Sequence, residues 1–122
     1  MARRGFNAEE TKLIDLLVES GIKKNIAKTL VYLRKKKETT SVQLEGDTAL
    51  RQPEVSIAMQ DLRKRKWVTK RDIKKEGKGR PVHSYRLAIP FSKVIDRVIE
   101  ERKKEIAKIE KSIKRLEQFK KD

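Results

Sequence analysis

The most restrictive feature of the chain is a spacing. From Pro90 onward, Ile95, Ile99, Arg102, Ile106, Ile109, Ile113, Leu116 and Lys120 follow one another at alternating intervals of four and three residues. That is the heptad seam of a coiled coil. It predicts one uninterrupted helix over residues 92–121, about 45 Å long at roughly 1.5 Å per residue. Glu100 with Lys104, Glu110 with Lys114 and Glu117 with Lys121 are exposed pairs in the favourable order along such a helix. So narrow an apolar stripe leaves water only against a partner helix. The expected partner is a second copy of the chain, giving a homodimer held by Ile95, Ile99, Arg102, Ile106, Ile109, Ile113 and Leu116. Arg102 would fix register there at a cost in stability. The alternative is a helix folded back on its own domain.

Residues 1–90 follow a different plan. A basic arm over residues 1–7 carries Arg3 and Arg4. Leu13, Ile14, Leu16 and Leu17 recur at helical spacing between Ala8 and Glu19, and Ser20 with Gly21 supplies a stop. Ile26, Ala27, Leu30 and Leu33 mark a second helix over about residues 23–36. Thr40 with Gln43 matches a capping box, predicting a short third helix that buries Val42 and Leu44 and ends near Thr48. Pro53 suits the first position of a fourth helix, whose buried stripe is Val55, Ala58, Met59 and Leu62. Two short helices separated by residues 49–52 have the spacing of a helix-turn-helix. Residues 67–73 and 82–87 then alternate as strands on either side of Glu76-Gly77-Lys78-Gly79, a hairpin with a basic, glycine-rich tip. The fold class is mainly α (α+β): a basic arm at 1–7, a winged helix-turn-helix domain at 8–90, and a long C-terminal coiled-coil helix at 91–122 for dimerisation.

Charge says what such a domain meets. The 122 residues hold 33 Lys+Arg against 18 Asp+Glu, a net +15. Residues 91–122 account for net +4 of this and residues 1–90 for net +11. Arg63, Lys64, Arg65, Lys66, Lys70, Arg71, Lys74, Lys75, Lys78 and Arg80 crowd one stretch against only Asp72 and Glu76. Each cation placed on a phosphate releases a condensed counterion, so double-stranded DNA is the expected partner. With Val55, Ala58, Met59 and Leu62 inward, a step of about 100° per residue turns Ile57, Gln60 and Lys64 outward, flanked by Ser56. Gln60 suits adenine, Ile57 a thymine methyl and Ser56 either base. Arg51 and Gln52 stand at the helix N-terminus, placed for phosphate. Arg63, Lys70, Lys75 and Lys78 extend the phosphate-facing surface. Arg80, held by Pro81, suits a narrow minor groove.

Residues 20–33, 40–48, 52–62 and Trp67-Val68, taken in order, resemble archaeal winged-helix transcription regulators of the TrmB-like, ArsR-like and MarR-like kind. The resemblance spans about residues 8–90. It implies sequence-selective DNA binding by a dimer, with the fourth helix in the major groove. Trp67 stands where those families usually carry glycine. The chain has no room for the sugar-binding domain of larger TrmB-like proteins and lacks the cysteines of metal-sensing ArsR-like ones.

Other classes find no support in the residues. Cysteine is absent and His83 is the single histidine, so neither disulfides nor Cys/His metal sites are expected, and no cofactor is expected. No P-loop, Rossmann fingerprint or catalytic constellation is present, and an enzyme is not expected. Apolar runs fall short of the roughly 18 residues of a membrane span, and Met-Ala-Arg-Arg leads into no apolar signal segment. The expected location is cytoplasmic and nucleoid-associated. An architectural chromatin protein of little sequence preference is the competing reading, because +15 alone favours non-specific binding.

Overall fold

The computed structural model describes residues 5–73 and 82–121. Helix α1 (Ala8–Glu19) begins at a capping box absent from the expectations above. Asn7 Oδ1 accepts from the Glu10 N–H at 2.8 Å, and Glu10 Oε1 accepts from the Asn7 N–H at 2.9 Å. The helix ends where the Ile22 N–H reaches the Leu17 carbonyl and the Gly21 N–H reaches that of Val18, both at 3.0 Å. This pair of bonds requires a left-handed residue, and Gly21 supplies it at φ 96°. Ile22 and Leu17, brought together by the turn, are both buried.

Helix α2 (Lys24–Lys35) is the centre of the domain, with Ile26, Ala27, Leu30, Val31, Tyr32 and Leu33 all inside. After three further residues comes strand β1 (Thr39–Thr40), which periodicity did not reveal. Helix α3 (Ser41–Thr48) carries the predicted box: Thr40 Oγ1 accepts from the Gln43 N–H at 3.2 Å, and Gln43 Oε1 from the Thr40 N–H at 3.1 Å. Only half of its expected burial holds. Leu44 is fully enclosed, whereas Val42 is 76% exposed because it lies on the outer side of this two-turn helix.

Helix α4 (Gln52–Lys64) starts one residue ahead of the expected position, so Pro53 is its second residue and still within the unpaired first turn. Val55, Ala58, Met59 and Leu62 are buried as the pattern requires. The helix closes as α1 does, with Trp67 N–H on the Leu62 carbonyl and Lys66 N–H on that of Arg63, both at 3.0 Å. Here the left-handed residue is Lys66, at φ 67°. The position that calls for glycine is therefore Lys66, one before Trp67, and Trp67 keeps its ring in the core at 5% exposure.

Strands β2 (Val68–Ile73) and β3 (Val82–Leu87) pair antiparallel, with Val68 opposite Leu87 and Ile73 opposite Val82. Strand β1 joins the other edge of β3, giving the order β1-β3-β2. Helix α5 (Phe91–Gln118) follows, ending in a short 3-10 turn, Phe119–Lys121. Its buried residues are Val94 and Val98, which the heptad reading did not include, and both belong to the core of the preceding domain. Phe91 and Ile95 pack against that core from its margin. Past Val98 the helix is exposed as far as Lys120.

Candidate nucleic-acid interface

Helix α4 and the strand pair meet in a groove of about 300 Å³. Its walls include Gln52, Ser56, Gln60 and Arg63 from α4, Lys70 from β2, and Ser41, His83 and Tyr85. Five residues predicted from sequence as contacts are thus brought into one concavity. They converge because Gln52, Ser56, Gln60 and Arg63 recur at helical spacing on the flank of α4 that faces the strands. Ser41 and His83 lacked a signal, since neither type at an isolated position announces a groove.

The other predicted α4 residues lie elsewhere. Ile57 is 65% exposed and borders a separate depression with Lys23, Lys24, Asn25 and Ile26 near the start of α2. Lys64 is exposed on the last turn, and Arg51 is exposed just before the first. Lys75, Lys78 and Arg80, with the rest of residues 74–81, lie outside the described residues, as does the arm over residues 1–4.

The basic stretch is more differentiated than its composition suggests. Arg65 is occupied internally: its Nε is 2.8 Å from Asp61, its Nη1 3.9 Å from Glu101 on α5, and its guanidinium 5.0 Å above the Trp67 ring. Arg71 forms a two-pronged contact with Glu38, Nε to Oε1 at 2.6 Å and Nη2 to Oε2 at 3.1 Å. Ser84 Oγ donates to the same carboxylate at 2.7 Å. The hydrogen bonds from Arg71 and Ser84 hold the Glu38 carboxyl below its usual value, and Glu38 in turn raises Arg71. Both arginines brace the base of the hairpin. Arg63, Lys64, Lys66 and Lys70 form no ion pair among the described residues and keep their charge toward solvent.

Two carboxylates temper this surface. Glu54 Oε1 accepts from the Arg51 N–H at 2.8 Å and lies 3.3 Å from the Asn25 amide, contacts that lower its pKa. One donor at the α4 N-terminus is therefore already taken, which narrows the phosphate cradle expected there. In the hairpin, Asp72 Oδ1 is 2.7 Å from His83 Nδ1, directly across the strand pair. His83 is thus a hydrogen-bonded strand residue beside the groove. No helix among the described residues is long and apolar enough to cross a membrane.

No family model matches the sequence, and no curated protein matches it. Solved structures do. TrmBL2, described as an archaeal chromatin protein with a novel mode of DNA binding, is similar over 89% of this chain and 40% of its own, with a TM-score of 0.66 at 17% identity. This chain thus spans well under half of that protein's length. A MarR mutant from E. coli complexed with operator DNA is similar over 88% of this chain and 85% of its own, with a TM-score of 0.53 at 16% identity. A transcriptional regulator homologue from Pyrococcus horikoshii OT3 covers 88% of this chain and 97% of its own, with a TM-score of 0.51 at 16% identity. With its helix-turn-helix, three-stranded sheet and trailing long helix, this chain has the architecture of a winged helix.

Proposed function

We propose that the chain is a double-stranded-DNA-binding transcription regulator that acts as a homodimer through α5. The observation that carries the reading is the groove between α4 and the hairpin, where Gln52, Ser56, Gln60, Arg63 and Lys70 converge. In this reading α4 enters the major groove, where Ser56 and Gln60 meet base edges. Ile57 and Lys64, farther round the helix, reach the adjoining base or phosphate. Arg51, Gln52, Arg63 and Lys70 hold phosphates and set the register. The hairpin lies along the minor groove, and Lys75, Lys78 and Arg80, which fall between its two strands in sequence, add cations to that contact. The nucleoid is where such a protein would work.

Selection of bound sequences from a random duplex pool, read with the salt dependence of affinity, tests this. A regulator enriches a pseudo-palindromic motif, with half-sites about one helical turn apart, and prefers it to random DNA by roughly 10³ or more at physiological salt. Gln60→Ala relaxes the preference at one base pair by about 1–3 kcal/mol, whereas Lys70→Ala or Arg80→Ala lowers the salt slope by about one unit and leaves the motif intact. Slopes unchanged in both lysine and arginine variants would sink the interface.

A second reading is an architectural chromatin protein. The similarity to TrmBL2 and the net charge of +15 favour it. A ratio near one between selected and random duplexes would establish it over the regulator.

A further inference from the structure

Beyond Val98 the α5 stripe stands in water. Ile99 is 46% exposed, Ile106 55%, Ile109 57%, Ile113 50%, Leu116 70% and Phe119 77%. The face by which Val94 and Val98 enter the core lies one residue, about 100°, round the helix from this stripe, so docking on the domain leaves the stripe uncovered. We propose that two copies of α5 pair antiparallel about a midpoint between Ala107 and Lys108, setting the two winged domains at opposite ends of a rod. The proposal rests on the homodimer reading above and adds its orientation and register.

Three placements decide the direction. First, in a parallel pair every seam residue meets its own counterpart, so Arg102 would share a layer with Arg102 of the second copy. Antiparallel pairing about this midpoint separates the two arginines by 11 residues of rise, about 16 Å. Each then sits opposite Ile113, with its guanidinium free to keep the 2.7 Å contact to Glu105. Second, this is the register that matches all eight seam positions: Ile99 with Leu116, Arg102 with Ile113, Ile106 with Ile109, and Ile95 with Lys120 at the ends. Third, the residues beside the seam change sign with direction. A parallel pair sets Glu105 against Glu110 of the second copy, twice. The antiparallel pair sets Lys103 beside Glu110, twice, and leaves Glu105 beside Ser112. Its adverse flank, Asp96 beside Glu117, also occurs twice, but at the solvated ends, where salt screens it.

The same register sets Phe119, 77% exposed, at the level of Val98 of the second copy, beside that copy's winged domain. It also sets a length. Val94 lies about 20 Å of helix from the midpoint, so the two domains are anchored about 40 Å apart, whereas parallel pairing would hold them side by side.

The chain contains no cysteine, so single-cysteine variants report direction without background. An Ile99→Cys protein carrying an affinity tag and an untagged Leu116→Cys protein are mixed and oxidised mildly. The antiparallel register yields the mixed, singly tagged disulfide dimer, while each variant alone stays unlinked because two residues 99 lie about 25 Å apart. Doubly tagged and untagged disulfide dimers would overturn the orientation, as would the absence of any mixed dimer in a chain that sediments as a dimer. A monomer mass for the unaltered protein at micromolar concentration would overturn the homodimer itself. Glu110→Lys gives an independent sign: it weakens dimerisation severalfold in the antiparallel arrangement by opposing Lys103, and tightening instead would overturn the proposal.

Discussion

Two residues at helix ends show how far single backbone positions govern this fold. Gly21 and Lys66 occupy equivalent left-handed turns at the ends of α1 and α4, yet only one is glycine. A Cβ at Gly21 would meet no atom within 4 Å, so the cost of Gly21→Ala is purely conformational. It should destabilise the protein by about 1–2 kcal/mol in denaturant unfolding. Lys66→Gly should act in the opposite direction, by about 0.5–1 kcal/mol, with no change in burial. The Gly21 turn was readable in advance because glycine after a periodic run is a stop signal. Lys66 was not, since a lysine in a basic run carries no mark of a left-handed backbone. Val42 misled for a related reason: in a helix of eight residues, one apolar position does not say which side faces the core.

Among the elements, the long ones were legible and the short or marginal ones were not. α1, α2 and α4 repeat their apolar residues often enough to declare a face, and the hairpin declares itself by alternation, whereas α5 declared its length but not Val94 and Val98, the residues it buries. β1 is two residues long, and its existence depends on Tyr85 and Ser84 lying opposite Thr39 and Thr40, a long-range fact. That edge is also where the hairpin is anchored, through Glu38. The folded-state pKa of Glu38 is below its ordinary 4.5, so its stabilising contribution is complete above that pH and lost as pH falls through the lowered value. Glu38→Gln should therefore flatten the acid limb of the stability profile, most visibly in the β1–β3 amides by hydrogen exchange. At neutral pH the same variant frees Arg71, and DNA affinity should rise slightly as one more cation faces the polyanion. The groove itself was half legible. Spacing on α4 turned Ile57, Gln60 and Lys64 outward with Ser56 beside them, yet only Ser56 and Gln60 of these line the groove, where Gln52, Arg63 and Lys70, expected on phosphate, join them. The sorting of Arg65 and Arg71 into bracing roles required their partners.

For the whole molecule, the lesson is that core and rod share one helix. Removing residues 91–122 would take Val94 and Val98 out of the core, each worth about 1.5–3 kcal/mol of burial. Such a chain should unfold or lose much of its stability, so it cannot report on dimerisation. A chain ending at Glu101 keeps both valines and the Arg65 contact with Glu101. It should fold, sediment as a monomer, and bind duplex DNA with a shallower salt dependence than the full chain. Retention of full affinity by that monomer would separate DNA binding from pairing altogether. Trp67 makes these experiments easier to read. It is the single tryptophan, buried where α4 turns into the hairpin, with the Arg65 guanidinium above its ring. The protein thus carries one intrinsic fluorophore at the joint between its two candidate DNA-contacting elements, and its emission can follow docking, wing opening and unfolding without an added label.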